Sequence, residues 1–206
     1  MNAIPDGFVN IATSQLIRAE IVKVNKAMTA ALVTAADAGE GLAREVTGVP
    51  RETLELLSKA GPGQLAAMSA VGFPLWSFRF PSPELANELL TGRNHPPAIT
   101  LSQLVRTEIR KTNTALMAAL LAAAHVESSI SPAIVCVPGA TLAILAKAKP
   151  VQLETLCSGG VRLWEYRFAT VELTRALIAG ETGSIGITHC FLSGLAQLPR
   201  TKGRGS

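Results

Sequence analysis

Aromatic residues are scarce in this chain, with two Trp, one Tyr and six Phe among 206 residues. Cysteine is scarcer: Cys136, Cys157 and Cys190 are odd in number, widely spaced and without a C-x-x-C pair, which excludes a disulfide framework and a zinc knuckle. The histidines His95, His125 and His189 each stand alone, so the paired ligands of a metal site are missing. Apolar runs such as ALMAALLAAA stop well short of the roughly 18 to 20 residues a membrane span needs. The opening MNAIPDGF has neither the basic n-region nor the apolar h-region of a leader. The expectation is a soluble protein of a reducing cytoplasm, without a membrane partner, a cofactor or a metal.

Catalytic patterns are missing too. GETGSIG near the C-terminus has glycines but no Gly-Lys-Ser/Thr, so it is not a phosphate loop. His95 falls between the two repeated stretches described below and His125 stands where the first stretch has Asp37, so neither belongs to a duplicated site. No nucleophile is accompanied by a base. These absences point away from an enzyme.

Charge is sparse and uneven. Residues 1–92 have seven Lys/Arg against nine Asp/Glu, and residues 93–206 have twelve against six. A first half at −2 and a second at +6 is compatible with a nucleic-acid partner and equally with a solubility role.

The aromatics that do occur are concentrated. PLWSFRF at 74–80 returns as RLWEYRF at 162–168, and with Phe73 these stretches hold seven of the nine rings. They belong to a longer duplication: the sequence realigns with itself at an offset of 88, where 34 of 82 positions are identical between 11–92 and 99–180. A period this long marks a duplicated domain, since solenoid repeats run roughly 20 to 50 residues. The predicted organisation is a first repeat at 1–92, a linker at 93–98 within TGRNHPPA, a second repeat at 99–180, and an extension at 181–206 with a basic tail.

Each repeat reads as helical. From a cap near Thr13, Ile17, Ile21, Val24, Met28, Ala31, Leu32 and Ala35 form one apolar stripe, matched by Val105, Ile109, Leu116, Ala119, Leu120 and Ala123. A polar, glycine-bearing stretch follows, then a short helix over 51–60 begun by Pro50 and broken by GPG, or by Pro150 in the second repeat. A helix over 64–71 leads to the cassette. There Trp76, Phe78 and Phe80 alternate with Leu75, Ser77 and Arg79, the period of a short strand with one aromatic face. A last helix begins after PSPE and ends at Gly92, matched by 171–180. Across the repeats Cys157 answers Ser69 and Cys136 answers Gly48, read as variation at small packed positions.

Two surfaces are candidates for function. The face opposite the stripe holds Arg18, Lys23 and Lys26 in the first repeat, and Arg106, Arg110 and Lys111 in the second; with Arg200, Lys202 and Arg204 of the tail, these are the predicted phosphate contacts of a DNA-binding protein, or else a solvated face. The cassette residues Trp76, Phe78, Arg79, Phe80, Trp164, Tyr166, Arg167 and Phe168 are read as core, with the two arginines holding the repeats together or docking a partner, because a strand with an open edge invites pairing. The two short helices are not read as a DNA-reading helix-turn-helix: their exposed starts offer only Gln64 and Gln152 to base edges.

This order of motifs resembles the FlhD family, the small helical subunit of the bacterial flagellar master transcriptional activator. The resemblance is carried by Val49, Pro50, Leu54, Leu57, Lys59, Pro62, Gln64, Leu65, Phe78, Arg79 and Phe80, and again by Val137, Pro138, Leu142, Leu145, Lys147, Pro150, Gln152, Leu153, Tyr166, Arg167 and Phe168. It covers about 60 to 70 residues of each half. It implies a mainly α fold, with two FlhD-like repeats packed as a pseudo-dimer, each with a short aromatic strand. It also implies a non-enzymatic role: assembly with an FlhC-like, zinc-containing subunit on promoter DNA, acting indirectly on RNA polymerase, at flagellar genes or at transfer genes of conjugative elements. The family's usual chain is a single unit, so duplication is a departure. An interaction module that sequesters an FlhC-like partner without touching DNA is the alternative.

Overall fold

The apolar stripe of the first repeat is the buried face of a long helix, α1 (Asp6–Asp37). In this computed structural model, residues 6–38, 44, 47–93, 103–126, 131–158 and 161–181 are described, with side chains from 15 onward. Ile17, Ile21, Val24, Met28, Ala31, Leu32 and Ala35 are all buried. Their counterparts Val105, Ile109, Leu116, Ala119, Leu120 and Ala123 are buried on α5 (Gln103–His125). Packing of α1 against α5 is the largest contact between elements of the fold.

Shorter elements follow each long helix in the same order, apart from one further short helix described in the second half. After α1 come α2 (Arg51–Lys59), α3 (Pro62–Ser69), β1 (Trp76–Phe78) and α4 (Pro83–Leu90). After α5 come α6 (Ser131–Val135), α7 (Gly139–Ala146), α8 (Pro150–Ser158), β2 (Trp164–Tyr166) and α9 (Val171–Ile178). The chain is therefore mainly helical with one small two-stranded sheet. Pro62 and Pro83 begin their helices, where a missing N–H costs nothing. The Ser82 and Thr170 hydroxyls accept from Leu85 N and Leu173 N, capping α4 and α9.

Local expectations change in four places. Residue 13 lies inside α1, which starts at Asp6, because only Gly7 weakens the helix in between, at about 1 kcal/mol. Helix α4 begins at Pro83, before Glu84, because the Ser82 cap precedes it. The strand is shorter than the aromatic alternation, and Phe80 lies beyond it, half-buried. The stretch expected to be irregular in the second repeat contains α6, started by Ser131-Pro132.

The two halves of the chain are intertwined. Strand β1 pairs antiparallel with β2, matching Trp76 with Tyr166, Ser77 with Glu165 and Phe78 with Trp164. Because Trp76 and Trp164, like Phe78 and Tyr166, are 88 residues apart, the outer two pairs are one pair seen from both sides. Helix α4 packs on α7 and α8, and α9 packs on α2 and α3, so each half seats its last helix on the other's short helices. The Thr53 hydroxyl donates to Ala169 O, and the Thr141 hydroxyl to Pro81 O. One continuous core of buried residues draws on both halves.

Candidate functional site

The seam between the halves is built by the cassettes. Asn25, fully buried on α1, donates from Nδ2 to Val71 O (3.2 Å) and Phe73 O (3.0 Å) and accepts from Leu75 N (3.0 Å) at Oδ1. It thereby fixes the entry to β1. Asn113, equally buried on α5, donates to Val161 O (2.7 Å) and accepts from Leu163 N (3.1 Å). Sequence reasoning passed over both, although an identical asparagine inside each apolar stripe was the available signal.

Arg79 and Arg167 face the other half. Arg79 N donates to Leu163 O and Arg167 N to Leu75 O, each at 3.0 Å. The Arg79 guanidinium donates to Arg162 O (3.1 Å) and sits 3.5 Å from the Glu165 carboxylate. That pair is half-exposed on the arginine side and exposed on the carboxylate side, and is worth under about 1 kcal/mol. Arg167 Nη1 reaches Pro74 O (3.5 Å) and Cys136 Sγ (3.7 Å). Trp76, Phe78, Trp164, Tyr166 and Phe168 are buried, and Phe80 packs edge-on against Phe78 with ring centroids 5.9 Å apart. Across the seam Phe73 meets Phe168 at the same 5.9 Å.

Differences between the cassettes compensate one another. Tyr166 OH lies 3.1 Å from Thr174 Oγ1, where the first half has Phe78 and Ala86 and needs no hydroxyl pair. Gly48 and Cys136 share a left-handed backbone, φ 67° and 55°, so backbone conformation as well as packing space constrains this position. The Arg162 guanidinium lies over Gly48, where an added Cβ would stand 2.9 Å from its nitrogens, with the Trp164 ring centroid 5.5 Å from Cζ. In the second half Cys136 supplies a side chain at that place, and the residue equivalent to Arg162 is Pro74. Arg162 Nε and Nη1 are buried without a hydrogen-bond partner. Burial, and then repulsion from Arg79, brings its pKa down to about 10, with Glu165 opposing.

The basic helix face is divided between paired and unpaired cations. Lys23 and Lys111 hold Glu20 and Glu108 one turn back, at 2.5 Å and 2.6 Å. Arg18, Lys26, Arg106 and Arg110 are exposed and have no ion-pair partner among the described residues. Arg200, Lys202 and Arg204, with His95, His189, Cys190, positions 94–98 of the linker and the extension after Glu181, lie outside the described residues. Two grooves flank the long helices at equivalent places. One, of about 460 Å³, runs between α1 and α3 past Lys26, Val33 and Leu65. The other, of about 380 Å³, runs between α5 and α8 past Thr114, Leu121 and Leu153. Beside the second lies a polar groove of about 400 Å³ lined by Gln103, Arg106, Thr107, Arg110 and Ser158.

The glutamines of the short helices are occupied. Gln64 Oε1 accepts from Gly61 N and Gln152 Oε1 from Lys149 N, both at 2.9 Å, which satisfies a helix-start donor in each half. Gln152 Nε2 also donates to Leu90 O across the seam. Among the described residues no helix is long and apolar enough to cross a membrane, and no group of three His, Cys, Asp or Glu is placed to hold a metal ion. No protein-family model, curated protein or solved structure matches the chain.

Proposed function

We propose that the chain is a fused pair of FlhD-like units, packed as an internal pseudo-dimer, that serves as a subunit of a transcriptional activator. It organises an FlhC-like, zinc-containing partner on promoter DNA, at flagellar or conjugative-transfer genes, and acts on RNA polymerase through that complex. The reading rests on the motif string that ends in F-R-F or Y-R-F. Its support from the fold is the reciprocal pairing of those two endings, in which Arg79 N meets Leu163 O and Arg167 N meets Leu75 O. Fusion makes the docking of two such units intramolecular and frees the copies to diverge.

In this mechanism the chain adds phosphate contacts from its arginines, while base reading falls to the partner. Gln64 and Gln152, spent on their own helix starts, offer little to base edges. The test is an electrophoretic mobility shift of a candidate promoter with an FlhC-like protein, with and without this chain, across a salt series. An activator subunit raises specific affinity and steepens the salt dependence. If the chain instead strips the partner from DNA, it is a sequestering module, and if it leaves the partner's binding unchanged the activator reading fails.

A further inference from the structure

The two long helices carry their basic residues at partly different positions. The groove at the start of α5 presents Gln103, Arg106, Thr107, Arg110 and Ser158. The positions 88 residues earlier are Gln15, Arg18, Ala19, Val22 and Ala70. The first half thus has one guanidinium where the second has two, and no hydroxyls. We propose that the α5 groove is a phosphate-binding site that belongs to the second half alone.

Arg106 and Arg110 are one helical turn apart, so their guanidinium groups share a face and reach one anion together. Both are exposed, and among the described residues neither is committed to a carboxylate: Glu108 is held by Lys111, and Glu154, the acidic residue beside Arg110 on α8, makes no ion pair there. The C-terminal end of α8, at Ser158, opens onto the same groove; its carbonyl dipole holds the arginines there and opposes an anion, so the attraction of the site comes from the two guanidinium groups, which must outweigh it. The Thr107 and Ser158 hydroxyls donate to Gln103 O and Glu154 O, at 2.8 Å each, and can turn toward a ligand oxygen.

The natural ligand, a backbone phosphodiester, rests on the DNA-binding reading above. The consequence goes further: with the paired-arginine site on one half only, the fused molecule binds DNA unequally with its two halves and so carries an orientation that a symmetric dimer lacks.

The test uses the full-length protein in two binding assays, calorimetric titration with inorganic pyrophosphate and fluorescence anisotropy with a short duplex across salt. R106Q/R110Q is the loss variant, and A19T/V22R installs the missing groups in the first half. The loss variant is expected to weaken pyrophosphate binding more than tenfold and to flatten the slope of log K against log salt by about one to two, with the gain variant steepening it by about one. Thermal melting should stay within a few degrees, since the arginines are exposed. Unchanged binding of both ligands by a folded R106Q/R110Q overturns the site and leaves the activator reading standing on other contacts. Arginine-dependent pyrophosphate binding without duplex binding keeps the site, assigns it to a free phosphate compound and counts against the DNA reading. Binding of neither ligand by the wild type overturns the proposal.

Discussion

Asn113 repeats the work of Asn25. Each fully buried amide oxygen accepts the backbone N–H of the leucine that leads into its strand, Leu163 and Leu75, fifty residues further along the chain. The two strands that join the halves are thus each tied to their own long helix before they meet.

Replacing Asn25 with Leu keeps the volume and strands three backbone groups, a buried N–H and two part-buried carbonyls. The expected loss is about 2 to 4 kcal/mol, because each orphaned group forfeits its hydration without compensation. Urea denaturation should show a lower midpoint at unchanged slope. Asn113→Leu should behave alike, and a loss under about 0.5 kcal/mol in either would show that the hydrogen bonds are dispensable.

Arg162 runs the other way. Its buried, unpartnered nitrogens cost stability, so Arg162→Met, which keeps an alkyl chain over Trp164, should stabilise the protein by about 1 to 3 kcal/mol at neutral pH. The pKa of about 10 in the folded state lies below the ordinary arginine value of the unfolded chain. Below pH 10 both states of the wild type hold the proton and the penalty is in full force. Between those values the unfolded chain binds more protons, so wild-type stability rises with pH relative to the Met variant. The gap between the two melting temperatures should therefore narrow as pH climbs above about 10; a gap that is constant with pH would assign the effect to packing.

The exchanged terminal helices make a prediction about severed halves. Residues 1–98 and 99–206, produced as separate chains, should co-purify as a one-to-one pair, because among the described residues α4 and α9 each pack mainly on the short helices of the other half. The melting temperature of the pair should rise with protein concentration, and that of the intact chain should not. A monomeric, cooperatively melting 1–98 would disprove the interdependence.

Much of this was readable from residues alone. The stripe from Ile17 to Ala35 is buried at every position, because a 3.6-residue period fixes which side chains share a face. What the period cannot convey is a polar residue placed inside the stripe to hold a distant strand, and so Asn25 and Asn113 were missed. Nor does it give backbone sign: Gly48 and Cys136 share a left-handed turn that neither residue type declares. Which edge the aromatic strand pairs with was open as well, since edge pairing depends on what the rest of the fold brings near it. The basic face was legible as a face, but the neutralising of Lys23 and Lys111 by acids one turn back, against the open arginines, needed side-chain positions.

The seating of α9 on α2 and α3 also orders events in time. During synthesis α3 is complete at Ser69, yet the helix that covers it begins at Val171. At ribosomal speeds the uncovered apolar seat waits on the order of ten seconds. A nascent chain in that interval exposes a sticky surface shaped for a helix, which is what a chaperone recognises, so the burden of fusing two units falls on the ribosome exit rather than on the finished molecule.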